Sequence, residues 1–433
     1  MNDETGRKMS GSVRRKAPLV LLVSGVAAPV VLWATIQNKD QDPVVTSKSE
    51  SVDIAKFGLV DDPTCKQDQA ARLQAAIDAG AGKTLVLPKG TFCVGRVNGT
   101  LKVKAPDSRI VGQGATTILK WHAPTGTPIA PLLDILPSAQ RSSLFDLAFD
   151  HGAETGSYKD SRYFGTNVWG GTMVAIEADE FNGSRLWGRG GFDNCFGVSA
   201  LDKSGNAIRG APKHVRLTEV TTENCGSGVH SAEHGGPGRI GAGINNGSGT
   251  GTQVSNAQDT GSFGSFIADI GAAGSGVWYN IVSTKSRVDK TRPPALYVGD
   301  NNNSFYNVLI EEPEGDGIWS DGYANGSNFA NINVKAPGGF CLHIKGNSQW
   351  FNIVCSDPSY RAQQPSAAIK LDATASSFTA SIQGFSLSTP VSRPSRLIDV
   401  LPGQSFKLSI NGNWPRMITQ PKMSQIQLTN SEP

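Results

Sequence analysis

One short pattern, an aromatic or small apolar residue followed by Asn and a β-branched residue, occurs four times in the second half of the chain. Its copies are Tyr279-Asn280-Ile281, Tyr306-Asn307-Val308, Ala330-Asn331-Ile332 and Phe351-Asn352-Ile353. Successive asparagines are 27, 24 and 21 residues apart, and each copy is followed by turn-forming residues and a second β-type run. A unit this short cannot bury its apolar face alone, so the pattern predicts units stacked as a solenoid.

The two β-type runs in each unit predict strands rather than helices. Pairing between stacked units would place equivalent residues about 4.8 Å apart, so the asparagines should form an internal ladder at one turn. Asn suits that turn because it tolerates the left-handed backbone conformation. We therefore predict an all-β, single-stranded parallel β-helix. The alternative is a β-sandwich in which the Asn repeats are accidental.

Composition and charge limit the classes of partner that the chain can bind. The chain has 433 residues, 18% of them charged, with a formal net charge of +3. The longest basic cluster is Arg14-Arg15-Lys16. Binding of a nucleic acid would require a much larger basic patch, so the class of nucleic-acid-binding proteins is excluded.

The basic cluster precedes an uncharged stretch of 18 residues, 19–36. Its length lies between that of a signal-peptide core and that of a membrane span, and it lacks a clear cleavage site. We expect an uncleaved signal anchor in the bacterial inner membrane, with a cleaved signal peptide as the alternative. The remainder would be exported and either periplasmic and anchored or secreted. The predicted segments are 1–45 (tail, anchor and linker), 46–400 (β-helix) and 401–433 (C-terminal cap and tail).

Six cysteines in an exported chain indicate disulfides, although six allow 15 connectivities. Cys195 and Cys225 each follow an Asn, as expected of corresponding positions on adjacent units. We predict the pairs Cys65–Cys93, Cys195–Cys225 and Cys341–Cys355. Buried free thiols are the alternative.

The segment 51–94 has a strand, an amphipathic helix ended by Ala79-Gly80, and a second strand. It resembles the N-terminal signature of the pectate-lyase-like superfamily of right-handed β-helices. The matching residues are Phe57-Gly58, Asp68, Leu73-Gln74-Ala75-Ala76-Ile77 and Leu87-Pro88-Lys89-Gly90-Thr91-Phe92. The family's usual Gly-Asp-Gly turn is replaced by Asp61-Asp62-Pro63-Thr64-Cys65. The resemblance implies right-handed winding, an N-terminal capping helix and activity on carbohydrates.

Laying the predicted strands over one another gives columns of equivalent residues. The inward column is expected to contain Val198, Val229, Leu296, Ile318, Leu342 and Ile369. Adjacent residues on a strand point to opposite faces, so the next column should face solvent and contain Ser199, His230, Tyr297, Trp319, His343 and Lys370. Sugar rings stack on such aromatic rows. We therefore assign Tyr297, Trp319 and His343 to substrate binding, with a small loop-covered core as the alternative.

A second row lies three or four residues beyond the inward column and is mostly acidic: Asp202, Glu233, Asp300, Asp321, Lys345 and Asp372, with Asp269 as a further candidate. Neighbouring carboxylates should raise one another's pKa, as acid–base chemistry at a glycosidic bond requires. We predict Asp202, Glu233 and His230 as catalytic, with Asp150, His151 and Asp193 in reserve. Asp300, Asp321, Lys345 and Arg239 are assigned to substrate binding.

These observations predict an exported enzyme that cleaves glycosidic bonds in a polysaccharide. Hydrolysis is favoured over β-elimination because an acidic row would bind a uronate only through a bridging cation. A lyase would use His234, Arg239 or Lys203 as its base and Ca²⁺ as its cofactor; otherwise no cofactor or metal is predicted. A sugar epimerase and a non-catalytic glycan-binding β-helix are the other hypotheses. Expected partners are the polysaccharide, the inner membrane through 19–36 and, as one alternative, two further copies in a homotrimer.

Overall fold

The computed structural model describes most of the chain after residue 50. The described ranges are 51–95, 100–122, 130–152, 172–200, 212–226, 241–270, 275–287, 294–322, 324–358, 367–372, 377–388, 396–401, 406–415 and 424–430. They lie within one compact unit, Ser49–Pro433.

The described elements are almost entirely strands. A short 3-10 helix, Ile54–Phe57, and the α-helix α1, Ala70–Ala79, precede most of them. The strands are β1 Ser51–Val52, β2 Thr84–Val86, β3 Gly90–Val94, β4 Leu101–Val103, β5 Arg109–Val111, β6 Thr117–Trp121, β7 Leu133–Ile135, β8 Ser143–Asp150, β9 Val174–Ile176, β10 Asn182–Arg189, β11 Asn194–Val198, β12 Arg216–Glu223, β13 Ala242–Asn246, β14 Gln253–Thr260, β15 Ser265–Asp269, β16 Val277–Thr284, β17 Leu296–Val298, β18 Ser304–Glu311, β19 Ile318–Ser320, β20 Ser327–Lys335, β21 Leu342–Ile344, β22 Ser348–Ser356, β23 Ala367–Asp372, β24 Phe378–Ser388, β25 Arg396–Leu401, β26 Phe406–Asn413 and β27 Ile426–Asn430.

The strands form two parallel sheets. The larger sheet runs β1-β2-β5-β8-β10-β12-β14-β16-β18-β20-β22-β24-β26-β27, with β3 and β6 attached at its start. The smaller sheet runs β4-β7-β9-β11-β13-β15-β17-β19-β21-β23-β25. From β7 to β26 the chain alternates between the sheets, so each turn adds one strand to each. This is the predicted all-β architecture of stacked coils.

A column of left-handed residues bends the long strands of the larger sheet. The asparagines of the repeat lie in it, with φ between 53° and 57°. Asn280 Nδ2 donates to Asn256 Oδ1 at 2.8 Å, and the amides of Asn307, Asn331 and Asn352 continue the ladder at 3.0–3.1 Å. The predicted ladder is confirmed, but it was wrongly placed inside the coil. Its side chains lie on the outer face, because the residues that follow each Asn turn inward.

The interior contains a second ladder, made of aromatic rings. Trp278, Phe305, Phe329 and Trp350 are fully buried and occupy equivalent positions on β16, β18, β20 and β22. Successive ring centroids are 5.6, 5.3 and 3.8 Å apart, with planes within 8° of parallel. Strand pairing thus stacks identical positions on the inside as well as on the outside.

All three predicted disulfides are present, with Cα–Cα distances of 5.4 Å for Cys65–Cys93, 5.6 Å for Cys195–Cys225 and 6.0 Å for Cys341–Cys355. Disulfides are typical of proteins in oxidising compartments outside the cytoplasm.

Near the two ends of the chain, the structure describes helix α1 and the last strands of the larger sheet. Helix α1 lies where the sequence predicts it and buries Leu73, Ala76 and Ile77; its role as a cap stays a prediction. Of the predicted C-terminal cap and tail, β26 and β27 continue the larger sheet. None of the described helices is long and apolar enough to span a membrane, and the predicted anchor at 19–36 lies outside the described residues.

Candidate functional site

The outer face of the smaller sheet contains the aromatic column that the sequence predicts. Tyr297 lies opposite Trp319 in the pairing of β17 with β19. Trp319 lies opposite His343 in the pairing of β19 with β21. The residues that precede them are fully buried, as predicted for the inward column: Leu296, Ile318 and Leu342.

The predicted register is wrong by two residues at β11. Through β13 and β15, Val198 aligns with Val298, and Phe196 takes the place opposite Leu296. Gly197, rather than Ser199, therefore lies in the column of Tyr297. A shift of two residues preserves the inward–outward alternation of a strand, so the apolar pattern could not reveal it.

The predicted catalytic residues Asp202, Glu233 and His230 lie outside the described residues, as does the predicted substrate-binding residue Arg239. Their roles stay predictions.

Tyr297, Trp319 and His343 form a contiguous group, here called the aromatic cluster. The Trp319 and His343 rings are stacked with centroids 4.5 Å apart and planes 16° apart. The Tyr297 ring meets Trp319 edge-on at 5.7 Å. Tyr297 and Trp319 are partly exposed, whereas His343 is only 3% exposed. The prediction that the whole column faces solvent is therefore wrong at His343, which Trp319 covers.

A charged row, Asp321, Lys345 and Asp372, lies beside the aromatic cluster. Lys345 Nζ is 3.9 Å from Asp321 Oδ1 and 3.3 Å from Asp372 Oδ2, so those two oxygens are at most about 7.2 Å apart. The same ammonium lies 4.4 Å from the centre of the Trp319 ring, and the Tyr297 hydroxyl donates to Asp321. The sequence predicted mutual repulsion of these carboxylates, but the cation between them offsets it.

His343 links the aromatic cluster to further carboxylates. Its Nδ1 lies 3.3 Å from Asp316 Oδ2 and its Nε2 3.7 Å from Asp372 Oδ2. Burial lowers the pKa of His343 despite the opposing effect of Asp316, which favours the neutral ring. Among the described residues, the buried His343 Nε2 and Trp319 Nε1 have no hydrogen-bond partner.

Asp300 was predicted to face the substrate. It is only 1% exposed, so the prediction that its side chain faces solvent is wrong.

Asp269, the further candidate for the acidic row, points into the interior instead. It aligns with the buried Val298, is fully buried and accepts a 2.9 Å hydrogen bond from Asn246 Nδ2. Burial, and then the charge of Asp300, raises the pKa of Asp269 well above its ordinary value. It therefore belongs to the core rather than to the outer face.

Two carboxyls near the other end of the same outer face were missed. Asp134 lies opposite Ala175 in the pairing of β7 with β9, and Glu177 is two residues beyond Ala175 on the same face. Diagonal neighbours on adjacent strands have Cα atoms about 7–8 Å apart. Burial raises the pKa of Asp134 to about 6 despite the opposing effect of Lys102, its neighbour on β4. Burial, and then the charge of Asp134, raises the pKa of Glu177 to about 7.

We call Asp134 and Glu177 the carboxyl pair. One sequence feature could have pointed to the carboxyl pair. Asp134 is an acidic residue inside an otherwise apolar strand, Leu132-Leu133-Asp134-Ile135. Buried carboxyls with raised pKa values are common at functional sites. Their partnership could not be read from the sequence, because the segment between the two strands differs in length from the regular units.

His151, a reserve catalytic residue, is a core histidine. It is fully buried, its Nε2 lies 3.0 Å from the Ala130 carbonyl oxygen, and its ring contacts Trp121 and Phe192. Burial lowers its pKa to about 4.

We expect this histidine to make the protein acid-sensitive. The ordinary His pKa is about 6.5, so the folded state resists protonation and loses stability as pH falls from 6.5 towards 4, by about 3 kcal/mol in all. In His151→Gln, whose amide can still donate to Ala130, this loss should be absent. Urea unfolding of both proteins at pH 7 and pH 4.5 measures the difference. If the free energies of unfolding of the two proteins differ by the same amount at both pH values, His151 is not the source of the acid sensitivity.

Among the described residues, no group of three or more His, Cys, Asp or Glu side chains could hold a metal ion. The Ca²⁺ expected of a lyase stays a prediction.

No family model matches the sequence, and no curated protein sequence matches it. The A-module of mannuronan C-5 epimerase AlgE4 from Azotobacter vinelandii is similar in structure, with TM-score 0.56 and 15% identity over 88% of this chain and 100% of that module. The fold is that of the pectate-lyase-like β-helices.

Two further solved structures have the same fold. The AlgE6 A-module from the same organism has TM-score 0.53 and 12% identity over 88% of this chain and 99% of that module. ORF18 of Geobacillus virus E2 has TM-score 0.50 and 11% identity over 84% of this chain, which spans only 61% of the viral protein. At these identities the likeness shows the fold alone, and that fold is the one that the resemblance of residues 51–94 implies.

Proposed function

We propose that this chain is an enzyme that cleaves glycosidic bonds in a polysaccharide lying along the outer face of the smaller sheet. The carboxyl pair is the observation that carries the proposal. Hydrolysis of a glycosidic bond requires one protonated and one ionised carboxyl beside the scissile bond. The pKa values of about 6 for Asp134 and about 7 for Glu177 provide this combination near neutral pH.

The pKa order assigns the roles. Glu177 keeps its proton longer and donates it to the glycosidic oxygen as the bond from that oxygen to the anomeric carbon breaks. Asp134, the stronger acid, is ionised and either takes a proton from the attacking water or attacks the anomeric carbon itself. The first route inverts and the second retains the anomeric configuration. Lys102 beside Asp134 favours its ionised form.

The aromatic cluster would hold the polymer further along the same face. Strands β9 and β17 are four steps apart in the smaller sheet, which corresponds to about 19 Å at the usual strand spacing. The exposed parts of the Tyr297 and Trp319 side chains suit contact with the C–H groups of a sugar ring.

The carboxyl pair predicts a narrow, bell-shaped pH dependence. Turnover should rise as Asp134 loses its proton near pH 6 and fall as Glu177 loses its proton near pH 7. We expect the maximum of kcat/KM between these values, measured by initial rates from pH 4.5 to pH 9. A rate that keeps rising beyond pH 8 would contradict the role of Glu177 as the acid.

β-Elimination is the principal alternative, with Ca²⁺ holding a uronate carboxylate. Epimerisation is the activity named for the AlgE4 module, and it would alter a polymer without shortening it. We favour hydrolysis because the charged row contains two carboxylates for one ammonium, which disfavours an acidic sugar.

The test is incubation of the purified full-length chain with bacterial and plant polysaccharides, following new reducing ends and unsaturated-uronate absorbance together. Reducing ends without absorbance are expected. Both signals would identify a lyase. Neither signal on any polymer would contradict cleavage and leave epimerisation or non-catalytic glycan binding, which the sugar composition of the polymer after incubation distinguishes. Variants Asp202→Asn, Glu233→Gln and His230→Ala, compared with Glu177→Gln, decide between the predicted residues and the carboxyl pair.

A further inference from the structure

The outer face of the larger sheet has an unusual concentration of exposed apolar side chains. Of the seven large ones that are exposed among the described residues, four lie on β16, β18 and β22: Tyr279, Tyr306, Phe351 and Val354, each 37–40% exposed. Tyr279, Tyr306, Ala330 and Phe351 occupy equivalent positions on adjacent strands. Each directly precedes an Asn of the outer ladder. We call these four residues and the asparagines that follow them the amide–aromatic face.

This face carries no charge. The other partly or fully exposed residues on β16, β18, β20 and β22 are uncharged until the carboxyl ends of the strands. There Glu311 and Lys335 pair with each other at 2.8 Å. An acidic polymer, a nucleic acid or an anionic membrane would find no complementary charge on it.

The bend in the backbone does not require this chemistry. Earlier in the same column the left-handed positions are occupied by Asp146, Arg185 and Glu219, with φ of 52–55°. Asp146 and Arg185 form an ion pair at 2.7 Å. Charged side chains therefore tolerate the bend, and the residues before them are not consistently aromatic. The change to amides and rings is specific to the later coils.

The amides retain capacity for a ligand. Asn280, Asn307 and Asn331 each use one N–H and one oxygen lone pair within the ladder, and Asn352 uses one N–H. An amide offers two N–H groups and two lone pairs. Ala330 leaves a notch between Tyr306 and Phe351, whose strands are two steps, about 9.6 Å, apart. A sugar ring placed over Ala330 would have an aromatic ring on either side and amide groups along one edge.

We propose that the amide–aromatic face is a second, non-catalytic binding site for an uncharged polysaccharide. Aromatic rings contact the C–H faces of the sugars, and the ladder amides bind hydroxyl groups. An apolar protein partner fits less well, because it would leave the remaining amide groups without hydrogen bonds. The site lies on the other sheet from the carboxyl pair and does not depend on it.

The test measures binding by full-length protein carrying Glu177→Gln, so that any turnover does not obscure it. The probes are cellulose, chitin, curdlan and galactomannan, with polygalacturonate as the charged comparison. We expect binding to at least one neutral polymer, unchanged between low and high salt. Tyr306→Ala and Phe351→Ala should each weaken it about 2- to 10-fold, whereas Val86→Ser, an exposed apolar residue elsewhere on the larger sheet, should not.

Failure of all four neutral polymers to bind would overturn the proposal. Binding by the Tyr306→Ala and Phe351→Ala variants that equals binding by the protein carrying Glu177→Gln alone would also overturn it. Preference for polygalacturonate would also overturn it. Sedimentation at increasing protein concentration provides the remaining check. Self-association that Tyr306→Ala and Phe351→Ala abolish, without glycan binding, would identify the face as a contact between copies of this chain. Activity with no neutral-glycan binding would leave the proposed enzyme function intact.

Discussion

Replacing Glu177 by Gln is expected to lower kcat about 10²–10⁴-fold, the usual contribution of a general acid. Gln has nearly the same shape but carries no acidic proton. Burial and the charge of Asp134 hold the pKa of Glu177 at about 7, so this proton is present when Asp134 is already largely ionised. The measurement is the initial rate of reducing-end release on the best polymer of the panel.

Glu180→Gln is the matched control. Glu180 is an exposed carboxyl three residues further along the chain, so the same loss of charge should leave kcat within about twofold. The alkaline limb of the pH profile should also disappear in Glu177→Gln if any residual rate can be measured. Equal rates for wild type and Glu177→Gln would show that the carboxyl pair is not catalytic. Asp202 and Glu233 would then be the candidate catalytic residues.

Replacing Phe329 by Ala should lower the free energy of unfolding by about 3–5 kcal/mol, the cost of deleting a buried aromatic ring. Phe329 is fully buried between Phe305 and Trp350, with ring centroids 5.3 and 3.8 Å away. The hole would interrupt the internal aromatic ladder, and neighbouring coils cannot close over it without breaking strand pairs. Urea unfolding followed by tryptophan fluorescence measures the loss.

Phe351→Ala provides the comparison. Phe351 is 37% exposed on the adjacent strand β22, and a substitution at such a surface position is expected to change stability by about 0.5 kcal/mol or less. Similar losses at both positions would mean that the aromatic ladder is not the main packing element of these coils.

Local regularity explains which parts of the fold the sequence revealed. The spacing of Asn280, Asn307 and Asn331 set the register of the later coils, and the observed amide ladder follows it. The left-handed backbone of the Asn was expected and is observed. The side of the bend on which its side chain lies depends instead on which flanking residues pack inward. That packing arises only in the folded coil, so the outward placement was missed.

The site was less accessible to sequence reasoning. Tyr297 and Trp319 were found because their coils have regular lengths. Asp134 and Glu177 belong to coils separated by an irregular segment, and their raised pKa values arise from burial that only the folded chain creates. The burial of His343 under Trp319 similarly depends on how two side chains stack.

The three disulfides close loops of only 28, 30 and 14 residues, so each of them ties together neighbouring positions along the stack. None of the three disulfides links the two ends of the stack of coils. Tension applied between those ends would therefore meet no covalent tether along the long axis, and resistance would come from the strand pairs in series. We expect such a molecule to extend in a succession of small force peaks, as coils peel away one after another, with short stretches of chain held back at each cystine.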